Sequence, residues 1–315
     1  MTGSVFSAFG LHLRLPFSTP LLQEAPDDRL PDITVRWGPT PATLEESTFR
    51  GDLEAPRARI ETDASGGLLW AAPHTRVWIP DPDNIVVEAL QETPVRARKR
   101  MILYYCLPAA LGMRGLISLH ASTALTRGGA VVLVGPSGSG KSTLLAGLLN
   151  QGCRMLSDDV SVLRYSPAAG PEVLPGYPTF RLDPDTLGRL APPAERTALL
   201  SGGRKVLVRV PETFRSDQPA RVRSIILLEG TARRAPPPVR VRGVSGLRTL
   251  QENCYPPVSL RPTSRDIERL ASLLAVVPSF RITRSPGVWS VDELVARILK
   301  LAGSPSNDKE DSASG

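Results

Sequence analysis

Over the first 95 residues, apolar and polar positions alternate with period two in short runs, at 11–15 (LHLRL), 33–37 (ITVRW), 58–62 and 75–79. That alternation predicts half-buried β-strands. Pairs such as Gly38-Pro39 and Gly66-Gly67 predict the turns between them. The pattern then changes. Basic residues 95–100 lead into an apolar run over 101–113, which predicts a buried helix with a solvated first turn. Residues 115–125 predict a strand, 126–129 a turn, 130–134 (AVVLV) a second strand, and 144–150 a short helix carrying Leu144, Leu145, Leu148 and Leu149. Further on, 153–157 and 224–228 predict buried strands, 267–277 and 291–302 helices, and 279–283 a last strand. The expected class is α/β, with a β-rich N-terminal module over 1–95, a phosphate-loop core over 96–303 and a disordered polar tail over 304–315.

The strand at 130–134 runs into Gly135-Pro136-Ser137-Gly138-Ser139-Gly140-Lys141-Ser142-Thr143. Gly-x-x-x-x-Gly-Lys-Ser between a strand and a helix is the pattern of a nucleotide phosphate-binding loop. Its glycines let successive backbone N–H groups turn inward on a phosphate, and the helix N-terminus adds partial positive charge. Gly135, Ser137, Gly138, Ser139, Gly140, Lys141, Ser142 and Thr143 are therefore the expected nucleotide-binding residues. Lys141 is expected on the β- and γ-phosphates, and the Ser142 hydroxyl on Mg²⁺.

Two neighbours of the loop add chemistry. If the turn centres near Gly128, paired positions sum to about 256, which sets His120 opposite Pro136 and beside the phosphates. After the loop, one helix and one strand lead to Asp158-Asp159. Adjacent ionised carboxylates repel, and a divalent cation relieves the repulsion. Side chains of successive strand residues diverge, so one acid is expected on the metal and the other on a proton.

Composition narrows the partners. Lys plus Arg number 38 against 31 Asp plus Glu, a net charge of +7 carried by scattered arginines without interleaved aromatics. This fits an enzyme handling an anionic nucleotide better than a nucleic-acid binder. Cys106, Cys153 and Cys254 are far apart and lack metal-ligand spacing, which points to reduced thiols. The N-terminus has no basic segment ahead of its apolar residues, and 101–113 is too short to span a bilayer. A cytoplasmic protein without membrane partners is expected.

Taken together, Leu119-His120-Ala121-Ser122, the glycine loop, the Gly152 turn, Leu156-Ser157-Asp158-Asp159 and the stretch 176–183 resemble the HPr kinase/phosphorylase family, in particular its diverged bacterial relatives. The resemblance covers roughly residues 100–300. It implies a Mg²⁺-dependent kinase that moves the γ-phosphoryl group of ATP to a serine on a protein. It further implies that Asp158 and Asp159 share the metal and base roles, with Asp159 favoured as base, and that His120 positions the base. The family assembles into rings, so a homo-oligomer is a further implication. Two departures, Thr143 in place of the family's usual glutamate and an N-terminal module unlike its regulatory domain, point away from HPr. Relatives in peptide-modification pathways, including lasso peptide biosynthesis, imply a peptide or small-protein acceptor, docked by the N-terminal module.

Competing readings remain at this level. Leu200-Ser201-Gly202-Gly203-Arg204 imitates an ABC-transporter signature, and 224–229 the strand that follows it, but the intervening chain is too short for that family's helical subdomain. A small-molecule kinase and a nucleotide-gated peptide-binding module also remain open. Lys205 sits in a basic loop that reads as solvated or as closing on phosphates.

Overall fold

The computed structural model describes residues 3–26, 29–53, 58–90, 94–166, 170–192, 205–231, 236–255, 264–284 and 289–303. The imitation ABC signature at 200–204 and the tail at 304–315 lie outside them.

The N-terminal strands are β1 (Ser4–Ala8), β2 (Leu11–Leu15), β3 (Gln23–Glu24), β4 (Ile33–Trp37), β5 (Ser47–Leu53), β6 (Ala58–Asp63), β7 (Leu68–Ala72), β8 (Thr75–Asp81) and β9 (Asn84–Ala89). They form one sheet in the order β3-β1-β2-β4-β9-β8-β7-β6-β5, with β4 parallel to both neighbours. The four alternating runs are β2, β4, β6 and β8. One face of the sheet packs against a continuous helical segment: α1 (Val95–Met101), a π-helical turn (Ile102–Cys106) and α2 (Leu107–Met113). Leu13, Ile33, Trp70, Val77 and Ile85 share a core with Ile102, Leu103, Leu107 and Leu111. The basic first turn of α1 stays in water while the apolar run behind it is buried.

The second sheet holds β10 (Ile117–Leu119), β11 (Ala121–Thr126), β12 (Gly129–Val134), β13 (Arg154–Ser157), β14 (Ser161–Ser166), β15 (Gly170–Leu174), then β18 (Ala220–Thr231), β19 (Val239–Val241) and β20 (Ser279–Arg284). Its main order is β10-β14-β15-β18-β12-β11-β13, with β20 parallel to β18 and β19 beside β20. A separate ribbon pairs β16 (Thr179–Leu182) with β17 (Val206–Arg209).

Alternate residues of β12 face opposite layers. Val131 and Leu133 meet α3 (Lys141–Asn150) and α7 (Val291–Gly303) through Leu145, Leu148, Val295 and Ile298. Ala130, Val132 and Val134 meet α5 (Val244–Glu252) and α6 (Ser264–Val276) through Leu250, Leu270 and Leu273. A strand buried on both faces reads as an unbroken apolar run, which AVVLV is. The remaining helix, α4 (Pro184–Leu190), starts on Asp183, whose carboxylate accepts from the Asp185 N–H.

Two expectations are corrected. Paired positions in the β11–β12 hairpin sum to 255, not 256, because the turn is the two residues between Thr126 and Gly129. Residues 115–125 are also not one strand: the chain bends at His120, whose N–H donates to the Asn253 carbonyl rather than to β12. His120 is therefore not opposite Pro136 in any ladder. Cys106, Cys153 and Cys254 are buried and unbridged.

Candidate functional site

The loop leaves β12 at Gly135, where a Cβ would stand 2.5 Å from the Leu228 carbonyl oxygen, so the strand–loop junction admits only glycine. It enters α3 at Gly140, which has a φ of 96° that other residues rarely adopt. Lys141 folds back over the loop, its Nζ donating to the carbonyls of Gly135 at 2.6 Å and Pro136 at 3.1 Å. Burial holds this ammonium down to about 8, partly offset by the nearby Asp158 and Asp159 charges. The Ser139 hydroxyl is buried without a hydrogen-bond partner. Arg284 ties the loop down by donating to the Gly138 carbonyl at 2.8 Å. Ser137 and Gly138 are exposed, and Ser142 and Thr143 occupy the first turn of α3, half-buried.

Asp158 follows the end of β13 and is 2 % exposed. Its Oδ1 accepts from Ser122 Oγ at 2.5 Å and Ser142 Oγ at 3.0 Å, and its Oδ2 from the Arg181 backbone N–H at 3.3 Å. All of these donors are neutral. Burial, then repulsion from Asp159, pushes the Asp158 carboxyl up to about 6.

Asp159 is not a strand residue. Its φ is 64°, and the Val160 N–H donates to the Asp158 carbonyl at 2.7 Å, the two-residue closure of a tight γ-turn. That left-handed step is costly for a non-glycine residue and is a feature of functional sites. Here it separates the two acids: Asp158 faces Ser142, while Asp159 faces a cavity on the other side.

His120 Nδ1 stands 3.1 Å from the Asp159 carbonyl oxygen and 3.0 Å from the Tyr255 hydroxyl. With Nδ1 protonated the ring donates to the carbonyl; with Nδ1 bare it accepts from the tyrosine. Burial first, then the Lys141 charge, lowers the His120 pKa, against an opposing pull from Asp159. The histidine therefore contacts the backbone of the expected base, not its carboxylate. Arg181 touches both acids, through its backbone N–H to Asp158 and its guanidinium 3.8 Å from Asp159 Oδ2. The same guanidinium lies 5.1 Å from the centre of the Tyr104 ring. Arg181, Tyr104 and Tyr255 had no local sequence signal as site residues, although Arg181 lies within the 176–183 stretch. Tyr177 in that stretch is buried, and its hydroxyl donates to the Leu103 carbonyl at 2.6 Å, fixing the stretch to the long helical segment.

Asp159, His120, Ser137, Arg181, Tyr255 and Lys205 line one cavity of about 510 Å³, together with residues of α1 and residues 19–21. A smaller cavity of about 190 Å³ flanks the loop between Ser139, Leu144, Glu229 and Arg284. A larger cavity, about 950 Å³, opens at the other end of β12 and β18 among Arg221, Arg223, Arg240 and Arg242, and none of the candidate residues lines it.

The structure thus brings together the loop, Asp158, Asp159 and His120. Among the described residues no three His, Cys, Asp or Glu side chains gather into a metal-sized group. No helix among them is long and apolar enough to cross a membrane.

No protein-family model matches the chain, and no curated protein matches it. Among solved structures it is similar to the Hpr(Ser) kinase/phosphatase from Coxiella burnetii, at 14 % identity and a TM-score of 0.33, over 58 % of this chain and 93 % of that one.

Proposed function

We propose that the chain is a Mg²⁺-dependent kinase that moves the γ-phosphoryl group of ATP to a serine hydroxyl of a peptide or small protein. The observation that carries this reading is the division of the acid pair. One carboxylate is buried against the hydroxyl of the loop serine, and the other faces a cavity that also touches the loop at Ser137.

The residues fit a nucleotide and a divalent cation. Among the described residues the Ser139 hydroxyl has no partner and the Lys141 ammonium bonds only its own loop's carbonyls, so phosphate oxygens would satisfy both groups. Asp158 is a buried carboxylate with neutral donors only, and beside it Ser142 offers a second oxygen. Few protein oxygens, completed by phosphates and water, is how Mg²⁺ is held in phosphoryl-transfer sites. Bound Mg²⁺ supplies positive charge that neutralises the phosphate oxygens as transfer proceeds.

In this reading Lys141 and the loop N–H groups hold the phosphates in line with the acceptor. Asp159 takes the proton from the serine Oγ. That oxygen bonds to the γ-phosphorus as the bond from phosphorus to the bridging oxygen breaks, and ADP leaves with the electron pair. His120, on the Asp159 carbonyl, and Arg181, beside its carboxylate, keep the base in place. The test is incubation with ATP, Mg²⁺ and serine-containing peptides, read by mass spectrometry. Gain of one phosphoryl group on serine supports the kinase reading, and nucleotide binding without any transfer counts against it.

A further inference from the structure

The cavity facing Asp159 is far more basic than transfer to a neutral serine requires. Arg96, Lys99, Arg100, Arg181 and Lys205 line it, and Asp159 is the one acid among its described lining residues. The ATP phosphates already have Lys141 and the loop amides. Arg181 is held by Asp159 and Tyr104, and Lys205 is exposed near enough for its charge to act on His120 and Lys141. The remaining three stand apart from the phosphate loop, on α1.

Arg96, Lys99 and Arg100 are spaced three and four apart, which places them on one helix face. Lys99 Nζ donates to the Ser18 carbonyl at 2.7 Å and sits 5.1 Å from the Phe17 ring centre, fixing that face to the connection between β2 and β3. Arg100 is exposed, and its charge reaches Tyr104 and Tyr255, the second of which bonds His120. Tyr105 and Tyr255 pack edge to face, 5.9 Å between centres, and put apolar surface between the cations. A small-molecule site is lined mainly by apolar side chains with a few placed polar groups, whereas a wall of five cations complements a chain of acidic residues.

We propose that the acceptor is an acidic peptide, whose serine enters beside Asp159 and whose neighbouring Asp or Glu side chains pair with Arg100 and its companions on α1. The assignment rests on the kinase reading above and names the acceptor of that same site.

The test uses the full chain, ATP and Mg²⁺ with three peptides that share one serine and differ in flanks: Asp and Glu, Asn and Gln, or Lys. Two or three partly desolvated charge pairs correspond to about a tenfold higher kcat/KM for the acidic peptide over the neutral one. The lysine-flanked peptide is expected to be slowest, and added salt to narrow the gap. Arg100→Glu should slow the acidic peptide and speed the lysine-flanked one, a gain that a misfolded protein cannot show. Arg100→Gln should erase part of the acidic preference. Equal rates for acidic and neutral peptides, or an unchanged order in Arg100→Glu, would overturn the acidic acceptor and leave the kinase reading standing. ATP hydrolysis to water, followed in the same tubes, separates the failures. Hydrolysis without transfer to any of the three peptides sinks the acidic-peptide assignment, and neither hydrolysis nor transfer sinks the kinase reading with it.

Discussion

Glu61 in the N-terminal sheet and Asp158 beside the glycine loop are both buried carboxylates, 1 % and 2 % exposed. Glu61 is compensated inside the protein. Its Oε1 is 2.9 Å from Arg59 Nε, its Oε2 is 3.6 Å from Arg50 Nε, and Oε2 also accepts from the Leu44 N–H at 2.7 Å. Asp158 has hydroxyls and an amide, a second acid as its neighbour, and no ion pair among the described residues. A buried charge costs several kcal/mol unless it is paired, so the two sites carry opposite meanings. Glu61 has two guanidinium groups within 3.6 Å, although its Oε1 makes no hydrogen bond among the described residues. Asp158 has no such counter-charge beside it among the described residues. Other carboxylates repeat the contrast: hydrogen bonds, from Ser65 first for Asp63 and from Thr40 first for Glu88, hold both below their ordinary values, while Asp158 is pushed up.

Substitutions at the two carboxylates can break this comparison. Asp158→Asn is expected to lower phosphoryl transfer by about 10²–10³-fold, the scale of removing one group that stabilises a transition state electrostatically. A steady-state assay at saturating Mg²⁺ checks it, and near-normal turnover would remove Asp158 from the metal role. Glu61→Gln should do the reverse, costing roughly 1–3 kcal/mol of stability in a denaturant titration while nucleotide affinity stays unchanged. A third effect is the pH dependence without metal. Burial first, then the Asp159 charge, holds the Asp158 carboxyl at about 6 in the folded protein, against 3.8 for an ordinary aspartate. The folded state therefore binds more protons between those values, and this group's contribution is full below 3.8 and lost as pH rises through 6. Asp158→Asn minus wild-type stability should accordingly grow by up to about 1.4 kcal/mol per pH unit across that window. Mg²⁺ should shrink the difference at neutral pH.

What the chain reveals locally and what it hides follow the range of the interactions. The loop, its strand and helix, and the acid pair lie within thirty residues of one another, so spacing alone assembles them. In the N-terminal sheet the alternating strands were legible. β7 and β9 were not, since LLWAA and NIVVEA carry no period-two alternation. The hairpin register set His120 opposite Pro136, whereas a bend takes it out of the ladder and brings it to the Asp159 carbonyl. Tyr255 lies 135 positions from His120 and Arg181 reaches back 23 to Asp158, contacts that no local pattern encodes. The left-handed backbone at Asp159 was equally hidden, because nothing in the residues around an aspartate pair announces a γ-turn.

The central claim is that Asp159 receives the acceptor's proton while the loop and Asp158 hold the nucleotide. Its most direct test is one paired measurement on wild type and Asp159→Asn: ATP affinity, and transfer of labelled γ-phosphate to a serine peptide. Asparagine tolerates the left-handed conformation that Asp159 adopts, so the substitution changes the chemistry and not the turn. The account predicts ATP affinity within a few-fold of wild type and transfer reduced to background. Transfer at the wild-type rate in Asp159→Asn would contradict it.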